Sequence, residues 1–216
     1  MHWLGIVSFV GAALASVRWM LTRVDTLGRH RSFPIFSVGV LIALGCAGMT
    51  PWVLRVRLES RLAAAASVIA GVPVQVFCQS FGEAFVDTGS EYGYVEFGPD
   101  GVPERSTLIK RNQCNDLRSW IRSGGSAPTR ESAVALHTLT HEAVHMSGVT
   151  SESETECIAL QRDAEMARLL GATTEEAQAL SFLYWQVVYP RMPADYRSAD
   201  CRPGGPLDLR GADAPW

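Results

Sequence analysis

Lysine is almost missing. Lys110 is the only one in 216 residues, and the other basic side chains are arginines. These form no stripe interleaved with aromatics, so a nucleic-acid partner is not expected. A net charge of −3 gives no strong pull toward a charged partner of either sign. No C-x-x-C pair occurs among the five cysteines, which removes the thiolate-rich zinc sites. No histidine follows His145, so a metal site built on the histidines must find its remaining ligands among other residue types. No internal repeat is present. No charge interrupts Phe33–Leu54, and that absence is itself a signal.

An uncharged apolar run of that length can cross a bilayer. Trp3–Leu21 is apolar except for Arg18, which lies near its end and can reach the interface. The competing reading of this first run is a signal peptide, but only His2 precedes it where a basic start is expected. Two transmembrane helices within residues 1–57 are therefore expected, with the lipid bilayer as a partner. The connection between them carries Arg23, Arg29 and Arg31, and basic short loops stay in the cytoplasm. Residues 58–216 would then lie on the extracytoplasmic side of the cell membrane, although Arg55, Arg57 and Arg61 pull the other way. Four cysteines fall in that part. An even number in an exported domain implies two disulfides, for which Cys78–Cys114 and Cys157–Cys201 are the favoured pairs. Four reduced thiols in an inward domain is the competing outcome.

The most informative pattern is His141-Glu142-Ala143-Val144-His145. It lies in a predicted helix over Glu131–Met146, capped by Thr129 or Ser126 and ended by Gly148. Four residues is about one turn, so both imidazoles share a face and can grip one zinc ion, Zn2+. Glu142 then lies beside the metal, where it can take a proton from water as general base. The bland alternative is a helix with partly buried histidines, but these need polar partners. His137 extends the stripe by one turn, as an orienting group, a substrate contact, a further ligand, or a histidine bonded to backbone.

A hydrolytic zinc site takes three protein ligands and leaves one position open. The next predicted helix, from Ser151 to about Gly171, begins with Glu152, Glu154 and Glu156. Glu156 is the expected third ligand because it lies a full turn inside, where the backbone is firm. Glu152 and Glu154 are the alternatives. Simple capping competes with all three, since acidic residues favour a helix start.

His141-Glu142-x-x-His145 followed by a helix bearing Glu156-x-x-Ala159 resembles the gluzincin branch of zinc metallopeptidases, and small actinobacterial membrane proteins with an H-E-x-x-H helix. The resemblance covers about Leu136–Arg168. It implies His141, His145 and Glu156 as zinc ligands, Glu142 as general base, and a peptide or protein substrate. Two departures stand out. The loop between His145 and Glu156 is shorter than in the large thermolysin-like enzymes. No aspartate lies four residues beyond Glu156, where one would steady a ligand; Asp163 lies seven beyond.

The expected fold is α+β: two transmembrane helices, then a zincin-like domain with a short antiparallel sheet, the H-E-x-x-H helix and the glutamate helix. Glu59–Ala70 reads as helix and Val72–Cys78 as strand. Ala84–Val86 and Tyr92–Phe97 read as a hairpin around Thr88-Gly89-Ser90, and Gly98-Pro99-Asp100-Gly101 as a turn. Ser106–Lys110 reads as strand, Asn115–Arg122 and Thr173–Val188 as helices, and the tail after Pro190 as irregular. Tyr184, Trp185 and Tyr189 are expected in the core, with a substrate pocket as the alternative. The expected function is a membrane-anchored metallopeptidase, with a non-catalytic envelope module of the same fold as the alternative.

Overall fold

The computed structural model describes residues 2–24, 28–86 and 91–216. The chain divides into two compact units, Met1–Arg57 and Leu58–Trp216.

The first unit holds α1 (His2–Thr22) and the start of α2 (Ile35–Ala70). Both helices are long and apolar enough to cross a membrane, with a mean hydropathy of 1.7 each. They meet through glycine: a Cβ on Gly48 would stand 3.0 Å from the backbone nitrogen of Gly5.

In the second unit, α2 continues with Leu58, Leu62, Ala65, Ala66 and Ile69 buried. That three-and-four spacing is one helical stripe facing a core. The strand β1 (Gln75–Cys78) follows and buries Val76 and Cys78. It is shorter than the expected Val72–Cys78, because Val74 N–H is taken by Ser67 Oγ at 3.0 Å. The segment Ala84–Val86 is helical, not a strand: α3 (Glu83–Val86) is a single turn. Its start is a reciprocal cap, with Ser80 N–H on the Glu83 carboxylate at 2.6 Å and Glu83 N–H on Ser80 Oγ at 3.3 Å. The expected turn at Thr88-Gly89-Ser90 lies outside the described residues.

The hairpin that does form joins β2 (Gly93–Phe97) to β3 (Pro103–Ile109) through Gly98–Gly101, where Gly98 N–H meets Val102 O at 2.9 Å. Sheet order is β1-β3-β2. The sheet is mixed rather than antiparallel, because β1 pairs in parallel with β3 while β2 pairs antiparallel. The tight turn dictates the second pairing, and the long connection after β1 permits the first. The strand β3 is thus central and β2 is an edge.

Four helices complete the unit: α4 (Arg111–Arg122), α5 (Arg130–Met146), α6 (Glu152–Leu169) and α7 (Thr174–Leu183). Helix α7 ends in a widened turn over Tyr184–Val188, where Tyr189 N–H reaches back to Tyr184 O. The tail beyond is held to α6. Gln161 pairs with Leu207 O and Leu209 N–H, and Arg168 grips Asp213 with two bonds of 2.8 and 2.6 Å. Both expected disulfides are present, Cys78–Cys114 and Cys157–Cys201. The first ties β1 to α4, and the second ties the tail to α6.

Candidate metal centre

Helix α5 is the axis of the second unit. Every residue from Ser132 to Met146 is buried. The sheet, α4, α6 and α7 wrap it, so polar side chains on α5 must find partners inside the protein. Thr129 and Ser132 form a reciprocal cap at its start. His137, His141 and His145 fall one turn apart and meet the first turns of α6.

Two groups of side chains could hold a metal ion, and they share His141. In the inner group, Glu156 Oε2 lies 2.9 Å from His137 Nε2 and 3.1 Å from His141 Nδ1, while Tyr184 O–H donates to Glu156 Oε1 at 2.9 Å. Asp163 Oδ2 lies 2.8 Å from His137 Nδ1. The Tyr184 ring stacks on His137 at 3.7 Å. Both nitrogens of His137 therefore face carboxylates. Burial pulls its pKa down, but Asp163 and Glu156 outweigh burial and carry it to about 10. Burial likewise pushes Glu156 up, and the His137 charge with hydrogen bonds from both imidazoles brings it down to about 2. Glu156 is an anion engaged by three donors.

In the outer group, His141 Nε2 and His145 Nε2 stand 3.0 Å apart. Glu152 Oε2 lies 3.1 Å from the first and 3.5 Å from the second. The far nitrogens decide the chemistry. His145 Nδ1 meets the carbonyl of Val149 at 2.8 Å, and a carbonyl only accepts, so Nδ1 carries the hydrogen. His141 Nδ1 faces the Glu156 carboxylate in the same way. Each neutral imidazole then turns a lone pair toward the other, with a carboxylate oxygen alongside. Three acceptors converging at that distance repel unless a cation or a proton stands among them. In the metal-free protein a proton does so. Burial lowers the His141 pKa, but bonds to Glu152 and Glu156 take it to about 9, and the Glu152 carboxyl is held far below its ordinary range by hydrogen bonds from His141 and His145. Three N/O donors with fixed tautomers fit a divalent metal. The Glu152 side chain is 41% exposed, so this group opens to solvent.

Glu156, the expected third ligand, is thus committed to His137, His141 and Tyr184. Glu152, the alternative, supplies the free oxygen. The carboxylate missing four residues beyond Glu156 is found by moving one turn back: Glu156 is itself four residues beyond Glu152, and it steadies His141. Asp163 steadies His137. Glu154 is exposed and touches neither group.

Glu142 is buried between α5 and β2. A Cβ on Gly93 would lie 3.2 Å from Glu142 Oε1 and 2.9 Å from Ile109 Cδ1, so a larger residue at 93 would press on the ends of both side chains. Burial raises the Glu142 pKa, opposed by His141 and His145. A carboxyl moved upward from its ordinary range is better matched to accept a proton near neutral pH.

Three further side chains frame the site, none of which the sequence singled out by itself. Tyr184, expected in the core, is buried there and also bonds Glu156. Tyr196 sits with its ring 5.8 Å from His141, and burial and the carboxylates Glu152, Asp195 and Glu142 push its phenol to about 12. Phe97 stands edge-on to His145 at 6.0 Å. Only the Glu152–Glu156 spacing could have been read in advance. Tyr196 and Phe97 are brought in by the tail and by the hairpin, far away in the chain.

The free edge of β2 completes the geometry. Lys110 N–H bonds Tyr92 O at 2.9 Å, and Tyr94 faces Leu108. The alternation of an antiparallel pair then turns the N–H and C=O groups of Gly93 and Val95 outward. No strand among the described residues takes that edge. Compared with protein-family models, with curated proteins and with solved structures, the chain matches none.

Proposed function

We propose that this protein is a membrane-anchored zinc metallopeptidase of gluzincin type, with His141, His145 and Glu152 as the metal ligands and Glu142 as general base. The observation that carries the reading is the convergence of His141 Nε2, His145 Nε2 and Glu152 Oε2, beside a buried carboxylate and open to solvent. Two imidazoles and one carboxylate, with an open position, are the ligands of a catalytic zinc rather than a structural one. A structural site has no use for Glu142, which weighs against a non-catalytic envelope module.

When bound, the zinc ion would polarise a carbonyl and make water more acidic. Glu142 takes the proton of the attacking water and delivers it to the leaving amine. Glu156 holds the hydrogen on His141 Nδ1, and Val149 O holds that on His145 Nδ1, so both Nε2 lone pairs stay turned to the metal. The Tyr196 phenol stays protonated and supplies an O–H donor among carboxylates, suited to the oxygen of the attacked carbonyl. An extended peptide pairs with the outward backbone groups of Gly93 and Val95, which brings its carbonyls past Glu142. The two disulfides suit an oxidising compartment, which favours the extracytoplasmic side for residues 58–216.

The test is zinc stoichiometry of the purified full-length protein, wild type against His145→Ala and Glu152→Ala. One zinc per chain that is lost in both variants is expected. Full occupancy in either would sink the site as drawn.

A further inference from the structure

We infer that a cavity between α4 and the start of α5 is a second binding site, for a neutral polyhydroxylated ligand of saccharide class.

The cavity has a volume of about 310 Å³, at the lower end of the roughly 300–1,000 Å³ usual for small-ligand sites. Its wall comes from three consecutive pieces of chain: Asp116 and Trp120 on α4, Ser123 and Ser126 in the turn that follows, and Thr129 and Ser132 at the cap of α5. It is separate from the metal centre. Ser132 precedes His141 by nine residues on one helix, about 14 Å along the axis.

Trp120 is 4% exposed, and its indole N–H has no hydrogen-bond partner among the described residues. A buried donor left unpaired is costly, so it calls for an acceptor. The nitrogen-bearing edge of that ring lies against the turn: a Cβ on Gly125, between Ser123 and Ser126, would stand 3.4 Å from Trp120 Cζ2, which shares a neighbour with Nε1. Asp116 has the opposite need. No described residue donates to its carboxylate, and burial and then the Glu131 charge raise its pKa. The serines beside them offer acceptors. Ser123 O–H donates to Trp120 O at 2.7 Å and Ser126 O–H to Ser123 O at 2.9 Å, so their hydrogens are taken and lone pairs remain.

One unpaired donor among several acceptors selects the ligand. An anion would meet the charges of Asp116 and Glu131, and the lining has no basic side chain. An ammonium ion carries donors only and leaves the indole N–H unpaired. An apolar group leaves both Trp120 and Asp116 unpaired. In a polyol, one hydroxyl oxygen accepts from Trp120 while its neighbours donate to Asp116 and the serines, which satisfies all of them together.

The measurement is the indole N–H region of the two-dimensional proton–nitrogen spectrum of the full-length protein, labelled on tryptophan and held in a sugar-free detergent. The Trp120 signal is the one missing from Trp120→Phe. The probes are glucose, N-acetylglucosamine and maltose, with cadaverine and gluconate as charged controls. At least one neutral sugar is expected to move the Trp120 signal downfield and to saturate, while cadaverine and gluconate leave it in place. Affinity read from saturation transfer to the sugar's own signals should fall about tenfold in Trp120→Phe, which keeps an aromatic ring and loses the hydrogen, and further in Asp116→Asn. Ser126→Ala, at an exposed position where folding is not at risk, should weaken binding about threefold. No movement of the Trp120 signal with any neutral sugar up to its solubility limit overturns the inference. An equal or larger movement with cadaverine or gluconate does the same, as does sugar affinity unchanged in Ser126→Ala and in whichever α4 variants fold.

Discussion

The two histidine–carboxylate groups share one helix and one imidazole, yet they differ in what they have left over. In the inner group, every hydrogen on His137 has a carboxylate and the Glu156 carboxylate has three donors. In the outer group, two imidazole lone pairs and a carboxylate oxygen face one another. Distances alone do not separate them, because both sets lie within the same 4.8 Å. Hydrogen accounting does. The His137 nitrogens and the Glu156 carboxylate are already engaged, whereas the outer group keeps acceptors to spare and could hold a metal ion. The inner group fixes the tautomer that the outer group uses.

Five substitutions sharpen or break that division. Glu142→Gln removes the base and touches neither group, so it should keep zinc and fold while hydrolysis falls about 10²–10⁴-fold, the usual span for general-base loss. Assays of zinc content and of peptide turnover on the same preparation check it, and unchanged turnover would remove Glu142 from the chemistry. His137→Ala strikes the inner group. It takes the charged partner from buried Asp163 and one of three donors from Glu156, a change that typically costs about 3–5 kcal/mol, to be read from denaturant unfolding of the metal-free protein.

The same region predicts a pH profile for that metal-free protein. His137 titrates near 10 when folded against an ordinary value of 6.5, so its stabilisation is complete below about 6.5 and is lost as pH rises toward 10. Glu156 titrates near 2 against an ordinary 4.5, so its share is complete above about 4.5 and is lost as pH falls toward 2. Melting temperature should therefore peak between these limits, and His137→Ala should flatten the alkaline limb. An alkaline limb of equal slope in the variant would mean that His137 is not the group responsible.

Glu152→Ala against Glu156→Ala is the direct comparison of ligand with orienter. Chelator competition should find the larger loss of zinc affinity in Glu152→Ala. Loss of an orienting partner such as Glu156 is typically about 10–100-fold. The reverse order would exchange the roles of the two glutamates. Gly93→Ala should have the smallest effect, about 1–3 kcal/mol of overpacking at the Glu142–Ile109 contact, visible as a lowered unfolding midpoint.

Much of this was legible in the chain. The helix α5 and its paired imidazoles follow from spacing and caps; an even cysteine count, with export as the expectation, points to two disulfides, and the favoured pairing of the three possible is the one observed. Which glutamate meets which pair of histidines did not follow. Glu152 and Glu156 lie one turn apart on the same face of α6, and which one reaches His141 Nε2 depends on how α6 approaches α5 after the short loop. Helical periodicity carries no information about that approach. The segment Ala84–Val86 misled because three residues are too few to show a period, and the Ser80–Glu83 cap won locally. The mixed sheet was hidden because β1 pairs with β3, which comes after β2 in the chain.

The widened turn at Tyr184–Val188 carries one extra residue between the buried Tyr184 and the tail. Deleting one residue there while the turn keeps its width would rotate all that follows by roughly 100°. Tyr189, which accepts from Ser198 N–H, Tyr196 above His141, and Cys201 opposite Cys157 would all lose phase together. Point replacements along this stretch disturb one contact each. A change in its length is a frame shift in three dimensions, so related chains can vary here in sequence far more freely than in count.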